Sequence, residues 1–292
     1  MPDAMPDTLR TGAANAVHGL SLREEPDWSK EDPGVDLAAH APDACRPRRA
    51  TADEPVWLFD LDNTLHDAAS EVFPRIRDAM AEFIARELSL DLRAAEDLRT
   101  DFWQRHGATL PGLVEQYGID ADRFLHETHA FPELWRLVPR DPRLVHTLRR
   151  LPGRRIVCTN APREYAQHVV RRLGIAPWID DIVSIESMRF AGRYQPKPSR
   201  SMLRRVVAWL QVSAARCILV EDTPANLAAA RALGMRTILV RGTTGRPFRP
   251  AHRLRAGSSR HIGLQVQSVA QLPRKAFRGE TSSRTDAVSR PE

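Results

Sequence analysis

The feature that most constrains the fold is an alternation of short apolar segments with helical ones between residues 56 and 268. Apolar runs of this length are typical of strands that are buried on both faces of a sheet. They lie at 56–59, 155–158, 182–184, 217–220 and 236–240, with a weaker candidate at 263–268. Helical patterns separate them, at about 162–173, about 199–210 and from Pro224 to Gly234. The alternation predicts an α/β fold, a Rossmann-like three-layer core in which helices cover both faces of a parallel sheet.

A long helical block interrupts this alternation directly after the first strand. Apolar residues recur at helical spacing over 72–90, and helical patterning continues over about 92–106 and in shorter pieces to about 150. Because this block is too long for one crossover helix, we expect an all-helical cap inserted after strand 1. The predicted domains are a core of residues 54–69 and 141–278, a cap of residues 70–140, and disordered extensions of residues 1–53 and 279–292.

Composition excludes several classes of protein. Hydrophobic residues make up 42% of the 292 residues, which is ordinary for a globular protein, and no apolar run approaches the length of a membrane span. We expect a cytoplasmic protein without a secretory signal, without a membrane partner, and either monomeric or homodimeric. The odd cysteine count (Cys45, Cys158 and Cys217) argues against a disulfide framework.

The chain is basic, with a formal net charge of +6, so a nucleic-acid partner has to be considered. Arginines are closely spaced between 241 and 260, where Phe248 is the only interleaved aromatic residue. Because a stacking surface for bases needs more aromatic side chains, we interpret this stretch as a solvated basic tail and do not expect nucleic acid as a partner.

Polar and charged residues follow the predicted strands, where ligands bind in open parallel sheets. The first strand is followed by Asp60-Leu61-Asp62-Asn63-Thr64, the second by Thr159-Asn160 and the fourth by Glu221-Asp222, while Lys197 lies in the loop after the third. Each motif alone is more often an ordinary turn, helix cap or surface loop. Their joint occurrence at successive strand ends favours one shared site.

The residue types in this set indicate phosphoryl chemistry. Clustered carboxylates repel one another, and a hard divalent cation such as Mg²⁺ relieves that repulsion. Lys197 adds a positive charge, and Thr159 and Asn160 add neutral hydrogen-bonding groups. Because phosphoryl transfer depends mainly on positioning and charge neutralisation, the combination suits a phosphate monoester.

These four motifs together resemble those of the haloacid dehalogenase (HAD) superfamily, over about residues 54–275. Within it, three stretches are similar to bacterial and yeast pyrimidine 5′-nucleotidases: 60–66, 106–113 and 156–162. Downstream of Lys197 the chain departs from some relatives, since Pro198-Ser199-Arg200 replaces a common acidic residue. We expect this departure to affect helix capping, with Ser199 as N-cap, rather than chemistry.

The resemblance implies a role for each matching residue. Asp60 would be the nucleophile that forms an aspartyl-phosphate, and Asp62 the general acid and base. The expected cofactor is Mg²⁺, with a ligand set of Asp60, the backbone carbonyl of Asp62, Asp222 and Glu221, the last directly or through water. The expected phosphate-binding groups are Thr159, Asn160, Lys197 and the backbone N–H groups of Leu61 and Asp62, with Asn160 and Asn226 acting more as positioning residues. An acid at position 62 favours phosphate chemistry over dehalogenation.

The resemblance further implies that the cap closes over the site and excludes water. Candidates for substrate contact are His66, His106 and Thr109, with Gln104 and Tyr117 as further cap residues. The leading hypothesis is a Mg²⁺-dependent phosphatase that hydrolyses pyrimidine nucleoside 5′-monophosphates. The alternatives are a sugar-phosphate or phosphoglycolate-type phosphatase, a phosphomutase, and a non-catalytic binding protein on the same fold.

Overall fold

The computed structural model describes residues 54–131, 133–242 and 262–272, without the side chains of residues 134 and 135. All of these residues fall within the unit Pro42–Glu292. The predicted extensions over 1–53 and 279–292, Cys45 and nearly all of the basic tail lie outside the described residues.

Six parallel strands form the central sheet, as the alternating pattern predicts. They are β1 (Val56–Phe59), β2 (Arg154–Cys158), β3 (Asp181–Val183), β6 (Cys217–Glu221), β7 (Arg236–Val240) and β8 (Leu264–Val266). Their order in the sheet is β3-β2-β1-β6-β7-β8, so β1 lies between β2 and β6. The order reverses direction at β1, and this is the type of position where open parallel sheets bind ligands.

Helices follow the strands and also form the block after β1. They are α1 (Val72–Leu88), α2 (Leu92–His106), α3 (Thr109–Tyr117), α4 (Ala121–His129), α5 (Leu134–Leu137), α6 (Pro142–Arg150), α7 (Arg163–Arg172), α8 (Arg200–Leu210) and α9 (Pro224–Arg231). Pro224 opens α9 as predicted, but α9 ends before Gly234, which takes a positive φ of 85° in the turn that leads to β7. Ser199 caps α8 through a hydrogen bond from the amide of Met202, as the sequence predicts.

Side chains alternate across the sheet and bury both of its faces. Along β1, Trp57 and Phe59 face one side, while Val56 and Leu58 face the other. The first side packs against α6 and α7, and the second packs against α8, α9 and the helices that follow β1. The sheet is therefore the middle of three layers, in agreement with the predicted fold class.

The helices α1 to α4 pack on one another through aromatic side chains. The rings of Phe83 and Phe124 meet edge to face, with centroids 5.2 Å apart. Asp91 caps α2 and Asp120 caps α4, each through a side-chain carboxylate that accepts a backbone N–H at 2.9 Å. These helices occupy the predicted cap region, and the cap boundaries at 70 and 140 remain predictions.

A small hairpin was not predicted from the sequence. Its strands, β4 (Arg189–Phe190) and β5 (Arg193–Tyr194), are antiparallel and contain two residues each. Ala191 and Gly192 form the turn with positive φ angles of 48° and 78°. Strands this short leave no measurable alternation, so only Gly192 signals the turn.

Among the described residues, no helix combines the length and the apolar composition needed to cross a lipid bilayer.

Candidate active site

The register of the sheet brings the predicted site residues together. Phe59 of β1 pairs with Val157 of β2 on one side and with Val220 of β6 on the other. The next residues of all three strands therefore lie at the same edge of the sheet. The amide of Asp60 donates to the carbonyl of Val220 at 2.9 Å, which continues the ladder and places the Asp60 carboxyl group at that edge.

Lys197 reaches this edge from the loop before α8, and its ammonium group joins two carboxylates. Nζ of Lys197 lies 2.5 Å from Oδ1 of Asp60 and 2.8 Å from Oε2 of Glu221. All three residues are buried. Burial lowers the pKa of Lys197, but Asp60 and Glu221 reverse this effect, and the pKa lies above its ordinary value. The lysine is therefore a fixed cation at physiological pH.

The two carboxylates that Lys197 joins titrate in opposite directions. Burial and the charge of Glu221 raise the pKa of Asp60 to about 7, despite the opposing effect of Lys197. Burial also acts to raise the pKa of Glu221, but Lys197 and hydrogen bonds from Asp222 and Asn226 bring it below its ordinary value. Oε1 of Glu221 accepts the backbone amides of Asp222 and Thr223 at 3.2 and 3.1 Å. Both oxygens of Glu221 are thus engaged by the protein.

Asp222 completes a group of three carboxylates. One oxygen each from Asp60, Glu221 and Asp222 lies within 4.8 Å of the others. Burial and the charges of Glu221 and Asp60 raise the pKa of Asp222 to about 9. Three carboxylates face one ammonium group here, so negative charge is in excess and proton uptake is favoured. A divalent cation with oxygen ligands fits this donor set, with Asp60 and Asp222 as the residues that would hold it.

A tight turn after Asp60 positions Asp62. The amide of Leu65 donates to the carbonyl of Leu61 at 2.9 Å, and Asn63 adopts a positive φ of 61°. The side chain of Asn63 accepts the amide of Ala69 at 2.9 Å and holds the far end of the turn. The predicted phosphate-binding amides of Leu61 and Asp62 lie within this turn.

Two side chains bind the carboxyl group of Asp62. The hydroxyl group of Tyr165, at the start of α7, donates to Oδ1 of Asp62 at 2.5 Å. Nε2 of His66 lies 2.9 Å from the same oxygen. Burial and the charge of Asp62 raise the pKa of Tyr165 well above its ordinary value, so the phenol stays protonated. Tyr165 was not predicted from the sequence, because a residue 103 positions away with no motif of its own carries no signal.

The predicted residues after β2 have different surroundings. Thr159 is buried, and its hydroxyl group accepts the amide of Ala161 at 3.1 Å. Asn160 binds the backbone of Lys197 twice, accepting its N–H at 2.9 Å and donating to its carbonyl at 3.1 Å. Asn160 also donates to the carbonyl of Gly107, between α2 and α3, at 3.4 Å. It therefore ties the lysine loop to the helical block.

The cap residues that were predicted to contact substrate differ in burial and in hydrogen bonding. His106 is partly buried at the end of α2, and its Nε2 is buried without a hydrogen-bond partner among the described residues. Thr109 is buried, and its hydroxyl group donates to the carbonyl of Arg99 within the helical block. Gln104 and Tyr117 are exposed, and Tyr117 lies against Phe102 with ring centroids 6.2 Å apart. Substrate contact by any of them stays a prediction.

Family comparison agrees with this geometry. Residues 56–234 match the family described as haloacid dehalogenase-like hydrolase. The chain belongs to this family. The match covers β1 to the end of α9 and includes Asp60, Asp62, Thr159, Lys197 and Asp222. This HAD-like hydrolase thus carries its candidate site entirely inside the region that defines the family.

Curated relatives of this HAD-like hydrolase include two phosphoglycolate phosphatases. The plasmid-encoded protein of Cupriavidus necator is 28% identical over 208 residues, which are 66% of this chain and 84% of that protein. The protein of Rhodospirillum rubrum is 29% identical over 203 residues, which are 63% of this chain and 78% of that protein. Among solved structures, the L-2-haloacid dehalogenase of Xanthobacter autotrophicus is 16% identical in sequence, with a TM-score of 0.46. The match covers 76% of this chain and 97% of the dehalogenase chain.

Proposed function

We propose that this protein is a Mg²⁺-dependent phosphomonoesterase that uses Asp60 as its nucleophile. The observation that carries the proposal is the pairing of the buried Asp60 carboxylate with Lys197 beside Asp222. Lys197 holds one oxygen of Asp60 in place and offsets negative charge that arrives with a phosphoryl group. A carboxylate fixed in this way, next to a second carboxyl group at Asp62, suits covalent phosphoryl transfer.

The residues of the chain divide the reaction into two steps. In the first, an oxygen of Asp60 bonds to phosphorus as the bond to the leaving oxygen breaks, and Asp62 donates a proton to that oxygen. In the second, Asp62 accepts a proton from water as the water oxygen bonds to phosphorus and Asp60 is released. Bound Mg²⁺ would supply charge neutralisation at the phosphate, held by Asp60 and Asp222.

Groups at the strand ends are proposed to bind and position the phosphate. The N–H groups of the turn after Asp60, the hydroxyl group of Thr159 and the ammonium group of Lys197 are the proposed donors to the non-bridging oxygens. Asn160 is proposed to act through Lys197, because the Asn160 side chain binds both the backbone N–H and the backbone carbonyl of Lys197. Glu221 is proposed to orient Lys197, which its Oε2 contacts at 2.8 Å.

Two substrate classes follow from different observations. Two relatives that match about two thirds of the chain are named phosphoglycolate phosphatases, which favours a small carboxylated phosphate monoester. The stretches 60–66, 106–113 and 156–162 resemble pyrimidine 5′-nucleotidases, which favours UMP, CMP and dTMP. We place 2-phosphoglycolate first, since the similarity to its phosphatases extends over about two thirds of the chain.

The test is phosphate release from a panel of monoesters, with Mg²⁺ and with a chelator. The panel contains 2-phosphoglycolate, UMP, CMP, dTMP, AMP, a hexose phosphate and p-nitrophenyl phosphate. We expect Mg²⁺-dependent release, highest for 2-phosphoglycolate, and none from Asp60→Asn. Asp97→Asn, at an exposed carboxylate on α2, is the matched control and should keep full activity. No release from any substrate, or full activity in Asp60→Asn, would refute the proposal.

A further inference from the structure

The two side chains that bind Asp62 converge on one oxygen. The phenol of Tyr165 donates to it, and because an ionised carboxylate can only accept, Nε2 of His66 donates to it as well. The hydroxyl group of Tyr165 and Nε2 of His66 both lie within hydrogen-bond distance of Oδ1, at 2.5 and 2.9 Å. No residue in the ranges 54–131, 133–242 and 262–272 donates a hydrogen bond to Oδ2. The carboxyl group of Asp62 is therefore held asymmetrically, with one oxygen saturated by the protein and the other left for a reacting partner.

Both donors are fixed in place by their own surroundings. Tyr165 is 2% exposed and packs in the core beneath α7, with the ring of His129 against it at 5.7 Å between centroids. The side chain of His66 is 2% exposed and comes from the same turn as Asp62, four residues on. Since both side chains are buried, the orientation of the Asp62 carboxyl group is set by two contacts from different elements.

This asymmetry decides which oxygen carries a transferable proton. A carboxylic acid holds its proton on one oxygen, and Oδ1 already accepts from two donors. We propose that Tyr165 and His66 are positioning residues that make Oδ2 of Asp62 the oxygen that exchanges protons with the substrate. In the first step the proton leaves Oδ2 for the leaving oxygen as the phosphorus–oxygen bond breaks. In the second, Oδ2 takes a proton from the attacking water. The inference rests on the proposed function.

A pair of matched substrates tests this role. Protonation of the leaving oxygen matters for phenyl phosphate, whose phenolate is a strong base, and hardly matters for p-nitrophenyl phosphate, whose leaving group is stable as an anion. The value of kcat/KM reports the steps up to transfer of the phosphoryl group to Asp60. We expect Tyr165→Phe to lower kcat/KM about tenfold or more for phenyl phosphate and less than about threefold for p-nitrophenyl phosphate.

Companion variants separate positioning from general damage. His66→Leu should reproduce the selective loss on phenyl phosphate, and His66→Gln should restore part of it, because its amide N–H can reach Oδ1. Tyr194→Phe, at a buried tyrosine in the β4–β5 hairpin, is the control and should leave both substrates unchanged. Circular dichroism and thermal unfolding verify that each variant is folded.

The outcomes distinguish this inference from the proposed function. If the wild-type protein hydrolyses p-nitrophenyl phosphate and Asp60→Asn does not, the proposed function stands. Equal losses on both substrates in Tyr165→Phe, or no loss on either, would then overturn the positioning role alone. If the wild-type protein hydrolyses neither substrate with Mg²⁺, the proposed function fails and the role of Tyr165 and His66 fails with it.

Discussion

Nζ of Lys197 lies 2.5 Å from Oδ1 of Asp60, although 137 residues separate the two in the chain. The loop that carries Lys197 follows the β4–β5 hairpin, while Asp60 ends the central strand β1. The same ammonium group binds Glu221 at the end of β6. One buried cation therefore joins two neighbouring strand ends, and the proposed chemistry depends on it.

Removing this cation should destabilise the protein as well as inactivate it. Lys197→Met leaves Asp60 and Glu221 buried side by side without a counter-charge. We expect a loss of about 3 kcal/mol or more in the free energy of unfolding, measured by urea denaturation at pH 7. Phosphatase activity should fall below detection. Unchanged stability would contradict the electrostatic account of the site.

Gly107 offers a test of the contact between the helical block and the lysine loop. A Cβ atom at Gly107 would lie 2.5 Å from the carbonyl oxygen of Lys197, whereas a Cβ atom at Gly118 would meet nothing within 4 Å. Both glycines have positive φ angles, 78° and 64°, so alanine costs each about 1 kcal/mol of backbone strain. Gly107→Ala should lower kcat/KM about tenfold, while Gly118→Ala should leave it within about twofold. Equal effects in both variants would contradict a role for this contact.

A buried histidine should make stability depend on pH. Burial lowers the pKa of His129 to about 4, despite the opposing charges of Asp62 and Glu186, and Nδ1 lies 3.2 Å from the carbonyl oxygen of Leu125. The folded state holds the imidazole neutral while the unfolded state protonates it near its ordinary pKa of 6.5. Its contribution to stability is complete above pH 6.5 and is lost as pH falls towards 4.

His129→Asn provides the comparison, because its side-chain amide can still donate to Leu125 but does not titrate. We expect the melting temperature of the wild-type protein to fall more steeply than that of the variant between pH 6.5 and 4. Parallel curves over this range would show that His129 takes up its proton equally in both states.

Metal binding should be visible without any substrate. If Asp60 and Asp222 hold Mg²⁺, the cation binds the folded state preferentially and raises the melting temperature in a concentration-dependent way. Asp222→Asn should lose most of this rise, and the exposed control Asp97→Asn should keep it. A rise of equal size in all three proteins would indicate that Mg²⁺ acts elsewhere on the surface.

Much of the fold could be predicted because local signals and long-range packing agree. The helix predicted over about 92–106 is α2, Leu92–His106, since Asp91 caps its start and Gly107 provides the left-handed residue at its end. The strand predicted at 236–240 coincides with β7. The β4–β5 hairpin was missed, because its pairing depends on tertiary packing and its strands are too short to show a period.

The candidate site also contains residues that the sequence could predict and a residue that it could not. Asp60, Thr159 and Glu221 could be placed together, because parallel strands end at one edge and each residue directly follows or ends a strand. Tyr165 could not, because its hydroxyl group reaches Asp62 through the packing of α7 on the sheet. Residues that complete a site from a helix face carry no spacing signal in the sequence.

If Asp60 is the nucleophile, it becomes covalently phosphorylated during turnover, and this intermediate can be trapped. The wild-type protein is quenched with acid during steady hydrolysis of p-nitrophenyl phosphate with Mg²⁺, treated with borohydride and mapped by peptide mass spectrometry. Borohydride converts an acyl phosphate into a primary alcohol. We predict this change at Asp60, only with substrate, and not in Asp60→Asn. Steady phosphate release with the change at another carboxylate, or with no change at all, would contradict it.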